Sequence, residues 1–127
     1  MKLKQYFESN NGLGVLSTAD QEGKVNSAVY SRPQVIEDNK IAFIAADRLT
    51  HANLMQNPHA VYLFKEDGPG YKGKRLFLKK TGESQDQGLI DSLRRSCHGQ
   101  SCEEGRDKKF LVYFDVEKEL PLVVMKD

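Results

Sequence analysis

Residues 40–64 read KIAFIAADRLTHANLMQNPHAVYLF and divide into a strand, a turn, a helix and a second strand. The first apolar run, residues 40–46, is short and follows a polar turn, which is typical of a buried strand. Asp47 is a suitable N-cap for the helix that follows. That helix must end near Asn57, because Pro58 lacks an amide hydrogen and disfavours helical geometry in the residue before it.

The start of this helix has the chemistry of an anion site. The first turn of a helix leaves backbone amides without intrahelical partners. Here Arg48 and Thr50 add a guanidinium and a hydroxyl. A solvated arginine remains the alternative interpretation, because strand–helix–strand units are common and their charged residues usually face water.

The composition indicates one soluble, folded domain, spanning residues 1–127. Hydrophobic residues make up 39% and charged residues 29% of the chain, which excludes a disordered polypeptide. The formal net charge is +1, so no overall field would attract nucleic acid or a membrane surface. No apolar run has the length of a membrane span, and residues 1–12 lack the apolar core of a signal peptide. We therefore expect a cytoplasmic protein with no nucleic-acid or membrane partner.

Short strands surround the central unit. We predict helices over residues 2–9 and 86–97, and strands over residues 14–19, 24–31, 34–36, 60–64, 75–80 and 110–116. Pro33 interrupts the ladder, so Ser31-Arg32-Pro33 should lie at a strand edge or bulge. The short connections favour an antiparallel sheet curled into a barrel over a parallel βαβ array.

Two clusters of polar residues are open to functional interpretations that we do not favour. The cations near residues 72–80 have no platform of aromatic residues, so a solvated strand face is favoured over a nucleic-acid patch. Cys97, His98 and Cys102 supply three potential metal ligands within six positions. Structural zinc sites more often use paired Cys-x-x-Cys spacings, so we predict reduced thiols and no metal, although a redox disulfide also remains open.

The order of elements resembles that of the pyridoxamine 5'-phosphate oxidase-like family of FMN-binding split barrels. The segment YSRPQV, which contains Ser31-Arg32-Pro33, is similar to the family's strand along the flavin ring. Residues 41–64 resemble its strand–turn–helix with Asn-Pro before the next strand, and FLVYFDV at 110–116 is placed as its last barrel strand. The resemblance covers most of residues 1–82 and 109–117. It implies a six-stranded antiparallel split β-barrel with short peripheral helices.

The resemblance also implies an FMN site. Carried over residue by residue, the resemblance implies that the ring system contacts Ser31, Arg32 and Pro33. It also implies that Ile44, Ala45 and Ala46 lie beside the ring, and that the phosphate is surrounded by Arg48, Thr50 and Asn53. Many family members have lysine or arginine where this chain has Leu49 or Thr50. Arg48 could take the place of that cation, because its forked donors suit phosphate oxygens.

A homodimer follows from the same resemblance, since the family's flavin usually lies between two subunits. Candidate partner residues lie in residues 65–80 and in the last strand. The implied activity is that of an oxidoreductase or flavin reductase acting on a small molecule, with no covalent nucleophile. Vitamin B6 oxidation is not expected, because the basic and aromatic residues that bind its phosphate have no match here.

Two alternatives to a flavoprotein remain. Some split barrels bind haem through a histidine, and His51, His59 or His98 could be that ligand. The missing lysine at Leu49 or Thr50 instead favours a cofactor-free dimeric binding module. His51 is predicted either beside the phosphate or on the surface.

Overall fold

The computed structural model describes residues 3–93 and 108–123, which form three helices and seven strands. In chain order these are α1 (Leu3–Ser9), β1 (Gly12–Ala19), β2 (Val25–Val29), β3 (Gln34–Glu37), β4 (Lys40–Ala46), α2 (Leu49–Gln56), β5 (His59–Glu66), β6 (Gly73–Ser84), α3 (Gln87–Leu93) and β7 (Lys109–Pro121). Among these helices, none has the length and apolar character needed to cross a bilayer.

The strands form one antiparallel sheet in the order β2-β1-β5-β6-β7-β4-β3. Its two edge strands, β2 and β3, are consecutive in the chain and are joined by residues 30–33. That link spans at most roughly 18 Å. In a flat sheet of seven strands the edges would be roughly 29 Å apart. The sheet must therefore curl, which confirms the predicted antiparallel barrel.

Aromatic side chains fill the inside of the curled sheet. The rings of Phe43 in β4 and Tyr62 in β5 have centroids 4.7 Å apart, although these strands are three places apart in the sheet order. Helix α1 packs against the same core, with the ring centroid of Phe7 5.2 Å from that of Phe64. The core therefore joins α1 to strands from both halves of the sheet.

The sheet has seven strands and not the six expected. Pro33 has no amide hydrogen, and residues 30–33 leave the ladder at this point. The segment before the break pairs with β1, whereas the segment after it pairs with β4. Pro33 thus separates one potential strand into two, β2 and β3, which lie at opposite edges of the sheet.

Long-range pairing also moves several element boundaries. Strand β6 continues to Ser84, past the end predicted at Lys80, because its last residues still pair with β7. Strand β7 itself continues to Pro121. The predicted helix over residues 86–97 is described only as far as Leu93. Cys97, His98 and Cys102 lie outside the described residues.

Candidate functional site

Helix α2 begins at Leu49 with Arg48 as its N-cap, so the prediction that Asp47 would cap it is wrong. The amide of Asp47 donates instead to the carbonyl of Lys108, at 3.1 Å. Within the described residues, no side chain caps the first turn of α2. Arg48 is exposed at this point. An exposed guanidinium therefore lies beside a helix start whose amides lack a side-chain cap.

Thr50 and Asn53 face the barrel, since each is only 4% exposed. Nδ2 of Asn26 donates to Oγ1 of Thr50 at 3.3 Å, and Nδ2 of Asn53 donates to Oγ1 of Thr18 at 3.1 Å. Burial raises the pKa of Tyr30, while a hydrogen bond with Thr50 acts in the opposite direction. These two α2 side chains hold the helix onto β1 and β2. Their hydroxyl and amide groups are thus occupied by the chain itself.

His51 lies in a buried contact between α2 and the last strands of the sheet. Its Nε2 is 2.9 Å from Oε1 and 3.2 Å from Oε2 of Glu83 in β6. Its ring stacks on Phe110 in β7, with centroids 3.7 Å apart and an interplanar angle of 10°. The imidazole is 6% exposed, so the alternative of a surface histidine is wrong.

The carboxylate of Glu83 is shared between two donors. Nζ of Lys80 donates to Oε1 at 2.9 Å, beside the contact with His51. Burial by itself would raise the pKa of Glu83, but the hydrogen bonds and charges of Lys80 and His51 outweigh it and lower that pKa. The group therefore remains ionised at neutral pH.

The Ser31-Arg32-Pro33 segment joins the two edge strands and is fixed on both sides. Nη1 of Arg32 donates to the carbonyl oxygens of Phe7, at 2.6 Å, and Asn10, at 3.1 Å, at the end of α1. The hydroxyl of Tyr62 lies 3.1 Å from the carbonyl oxygen of Ser31. Ser31 is exposed, Arg32 half-buried and Pro33 buried. The structure thus holds this segment in one position against α1.

The side chains of Ile44, Ala45 and Ala46 do not share a surface, because successive residues of a strand face opposite sides of the sheet. Ala45 faces the barrel interior and is 1% exposed. Ile44 lies on the outer side, where it packs with the cluster that Ile90 of α3 covers. Only Ile44 and Ala46 could therefore contact a ring from the outer side of β4.

A groove of about 420 Å³ lies between α1 and the link that carries Arg32. We call it the α1 groove; it is lined by Lys4, Phe7 and Glu8 of α1 and by residues 32–35. It contains Arg32 and Pro33 of the nine predicted site residues. Arg48 lies at the start of α2, and Thr50, Asn53 and Ala45 are turned inward. The nine residues therefore do not form one continuous pocket in a single chain.

An apolar surface covers the outer side of strands β2, β1 and β5. Val15 pairs with Val29 on one side and with Leu63 on the other, so three apolar residues form a row across the strands. Val25 is 73% and Val29 69% exposed. We call this surface, together with Val61 and Phe77, the outer patch. It borders a second cavity of about 260 Å³.

The residues that sequence reasoning missed are the partners of His51 and the outer patch. The alternation of Val25, Ser27 and Val29 signals a strand but does not tell which side faces solvent. Nothing in the local sequence around Glu83 links it to a histidine 32 positions earlier. The cations of the 72–80 cluster are partly neutralised, since Lys74 pairs with Glu119 and Lys80 with Glu83.

No protein-family model and no curated protein matches the sequence significantly. Solved structures do match. An FMN-binding protein from Syntrophomonas wolfei aligns over 98% of this chain and 86% of its own, with a TM-score of 0.76 and 23% identity. This chain has the FMN-binding split-barrel fold.

Two further split barrels agree with that assignment. A Clostridium acetobutylicum protein related to general stress protein 26, of the pyridoxinephosphate oxidase family, gives a TM-score of 0.64 at 16% identity, covering 94% of this chain and 89% of its own. HupZ of Group A Streptococcus gives a TM-score of 0.66 at 17% identity, and the alignment covers 94% of this chain and 90% of HupZ. At these sequence identities the comparisons establish the fold. The ligand of this chain has to be inferred from its own residues.

The described residues fit FMN unevenly. The phosphate end fits, because α2 offers uncapped amides beside an exposed guanidinium. The ring end fits through Arg32 and Pro33, which line the α1 groove, and through the exposed Ser31 beside them. The expected contributions of Thr50 and Asn53 do not fit, since both side chains are bonded within the barrel. Within the same described ranges, no three His, Cys, Asp or Glu side chains cluster as metal ligands.

Proposed function

We propose that this protein is a flavoprotein of the pyridoxamine 5'-phosphate oxidase-like family that binds FMN. The observation that carries the proposal is the uncapped start of α2 beside the exposed Arg48. It occurs in a fold shared with an FMN-binding protein. A helix start without a side-chain cap favours an anion, because the amide donors and the helix dipole both attract negative charge.

The phosphate would be held by the first-turn amides of α2 and by Arg48. A guanidinium presents several donors in a fixed plane and matches phosphate oxygens well. Thr50 and Asn53 would contribute through the backbone and by fixing the helix on β1 and β2. The phosphate site would thus depend mainly on one side chain and on main-chain groups.

The ring system would lie against Ser31, Arg32 and Pro33, with Ile44 and Ala46 on the outer side of β4. The bonds from Arg32 to the end of α1 fix the position of this segment. FMN, when bound, would supply reversible transfer of two electrons to a small molecule. We therefore propose an oxidoreductase or flavin reductase that acts on a small molecule.

The outer patch supports a homodimer. Exposed apolar residues that form contiguous rows on a sheet are typical of an interaction surface. Val25 and Val29 are the most exposed apolar residues of the two paired strands β1 and β2. A second copy of the chain would cover them, and it would also close the cavity that the outer patch borders.

The haem alternative gains no support from the described histidines. His51 is buried and its Nε2 atom is bonded to Glu83, so iron could bind this nitrogen only if that contact broke. His59 is exposed beside the outer patch, where a second subunit is proposed to pack. His98 lies outside the described residues.

The test is to purify the protein, denature it and identify any released chromophore by chromatography. We expect FMN, with the absorption spectrum of an oxidised flavin before denaturation. Protein purified without flavin should bind added FMN and bind riboflavin more weakly, because only FMN carries the phosphate. A Soret band, or a colourless dimer that binds neither flavin, would overturn the proposal.

A further inference from the structure

The α1 groove carries charged groups that the proposed flavin site does not use. Lys4 and Glu8 are one helical turn apart on α1, so they lie on the same face of the helix, roughly 6 Å apart along its axis. Both are exposed and line the groove. With the described residues, neither side chain forms a hydrogen bond or an ion pair.

The opposite wall of the groove adds a third charge. Arg32 is half-buried, and the carbonyl oxygens of Phe7 and Asn10 fix its guanidinium. Phe7 and Pro33 are buried beneath the groove and give it an apolar floor. The groove thus combines two cations, one carboxylate and an apolar base.

We propose that the α1 groove binds a small zwitterion with a flat apolar body, whose carboxylate lies toward Lys4 and Arg32 and whose cationic group lies toward Glu8. The volume of about 420 Å³ suits a small molecule and falls in the range of ordinary ligand pockets. An apolar body would pack on Phe7 and Pro33. A ligand with one charge only would leave one of the two α1 side chains without a partner.

This inference does not need flavin to be bound, since the groove exists in the chain by itself. It deepens the proposed function if that function holds, because Arg32 and Pro33 belong to both the groove and the proposed ring site. A molecule in the groove would then lie next to the ring, in the position of a substrate. The two proposals can fail separately when the protein is titrated with and without FMN.

The experiment titrates the flavin-free and the FMN-loaded protein with 4-(aminomethyl)benzoate, benzoate and benzylamine, by calorimetry. We expect the zwitterion to bind roughly fivefold more tightly than either singly charged molecule, which is the effect of one exposed ion pair. Lys4→Met should weaken binding of the zwitterion and of benzoate and leave benzylamine unchanged. Glu8→Gln should weaken the zwitterion and benzylamine and leave benzoate unchanged.

The matched controls are Lys24→Met and Glu22→Gln, which remove an exposed pair in the β1–β2 turn and should change none of the three affinities. A crossed pattern between the two α1 variants cannot arise from a general loss of structure. The inference is overturned if none of the three molecules binds, if the zwitterion has no advantage, or if both α1 variants affect all ligands equally. Binding of the zwitterion without FMN binding would instead contradict the flavin proposal alone.

Discussion

The Nε2 atom of His51 lies 2.9 Å from Oε1 of Glu83, and this contact joins α2 to the part of β6 that β5 does not reach. The pairing of β5 with β6 ends at His59 and Lys79, four residues before Glu83. Beyond that point β7 is the one strand neighbour of β6 among the residues that the structure describes. The stacked imidazole and Phe110 therefore close the barrel where the ladder is incomplete.

Replacing Glu83 with glutamine should lower the free energy of unfolding at pH 7 by about 1–3 kcal/mol, because two nearly buried donors would lose a charged acceptor. Since the pKa of Glu83 is lowered in the folded protein, its contribution is present above the unfolded-state pKa and is lost as pH falls through the folded-state value. Urea denaturation at several pH values measures both effects.

The difference in unfolding free energy between the two proteins should shrink as the pH falls below the ordinary carboxyl pKa of 4.5, because Glu83 then becomes protonated. Glu117→Gln, a change at an exposed carboxylate of β7, is the matched control and should leave stability unchanged. A stability difference that is the same at every pH would show that the charge of Glu83 is not what stabilises the contact.

Gly14 and Tyr62 are coupled by close packing. A Cβ atom on residue 14 would lie 1.9 Å from Oη of Tyr62 and 2.6 Å from the carbonyl oxygen of Tyr30. Tyr62→Phe should cost about 1–2 kcal/mol, because the hydroxyl would no longer bond the carbonyls of Tyr30 and Ser31. Gly14→Ala should cost more, since the backbone oxygen cannot move away as a side chain can.

The double variant Gly14→Ala/Tyr62→Phe should be less destabilised than the sum of the two single changes, because removing the hydroxyl removes one of the clashes. Chemical denaturation of the four proteins measures this coupling. Gly82→Ala serves as the control, since a Cβ atom there would meet nothing within 4 Å. Strict additivity would contradict the packing described at Gly14.

Local sequence rules predicted the first and last residues of an element correctly where these depend on residues nearby in the sequence. Strand β4 covers residues 40–46 as expected. Helix α2 ends at Gln56, with Asn57 as its C-cap, because Pro58 restricts the residue before it. Helix α2 begins one residue later than predicted, with Arg48 as its N-cap, and the amide of Asp47 bonds the carbonyl of Lys108, a contact 61 positions away that no local propensity contains.

The candidate site was harder to predict, because it depends on which side of an element each residue faces. The resemblance identified Thr50 and Asn53 by position, but both turn inward to β1 and β2. Arg48 lies one residue before the helix and is exposed. The direction of these side chains follows from the packing of α2 on the sheet, which the sequence of an eight-residue helix does not fix.

Val29→Lys should convert the proposed dimer into a monomer, because a charge within the outer patch would be buried without a partner. Light scattering after size-exclusion chromatography measures the mass. Ile36→Lys changes an equally apolar exposed residue on β3, at the opposite edge of the sheet, and should leave the mass unchanged. Equal masses for Val29→Lys and the original protein would show that the outer patch is not the dimer surface.

Arg48→Ala should weaken FMN binding by roughly tenfold, the effect of one lost charge-assisted contact to phosphate. Riboflavin affinity should not change, because riboflavin has no phosphate for Arg48 to bind. The amides at the start of α2 remain in the variant, so some preference for FMN over riboflavin should persist. Fluorescence titration of flavin-free protein gives both affinities, with Lys24→Ala as the control for a lost surface charge. If FMN and riboflavin lost affinity equally, Arg48 would contact the ring or stabilise the fold. An unchanged FMN affinity would show that the guanidinium does not bind the phosphate.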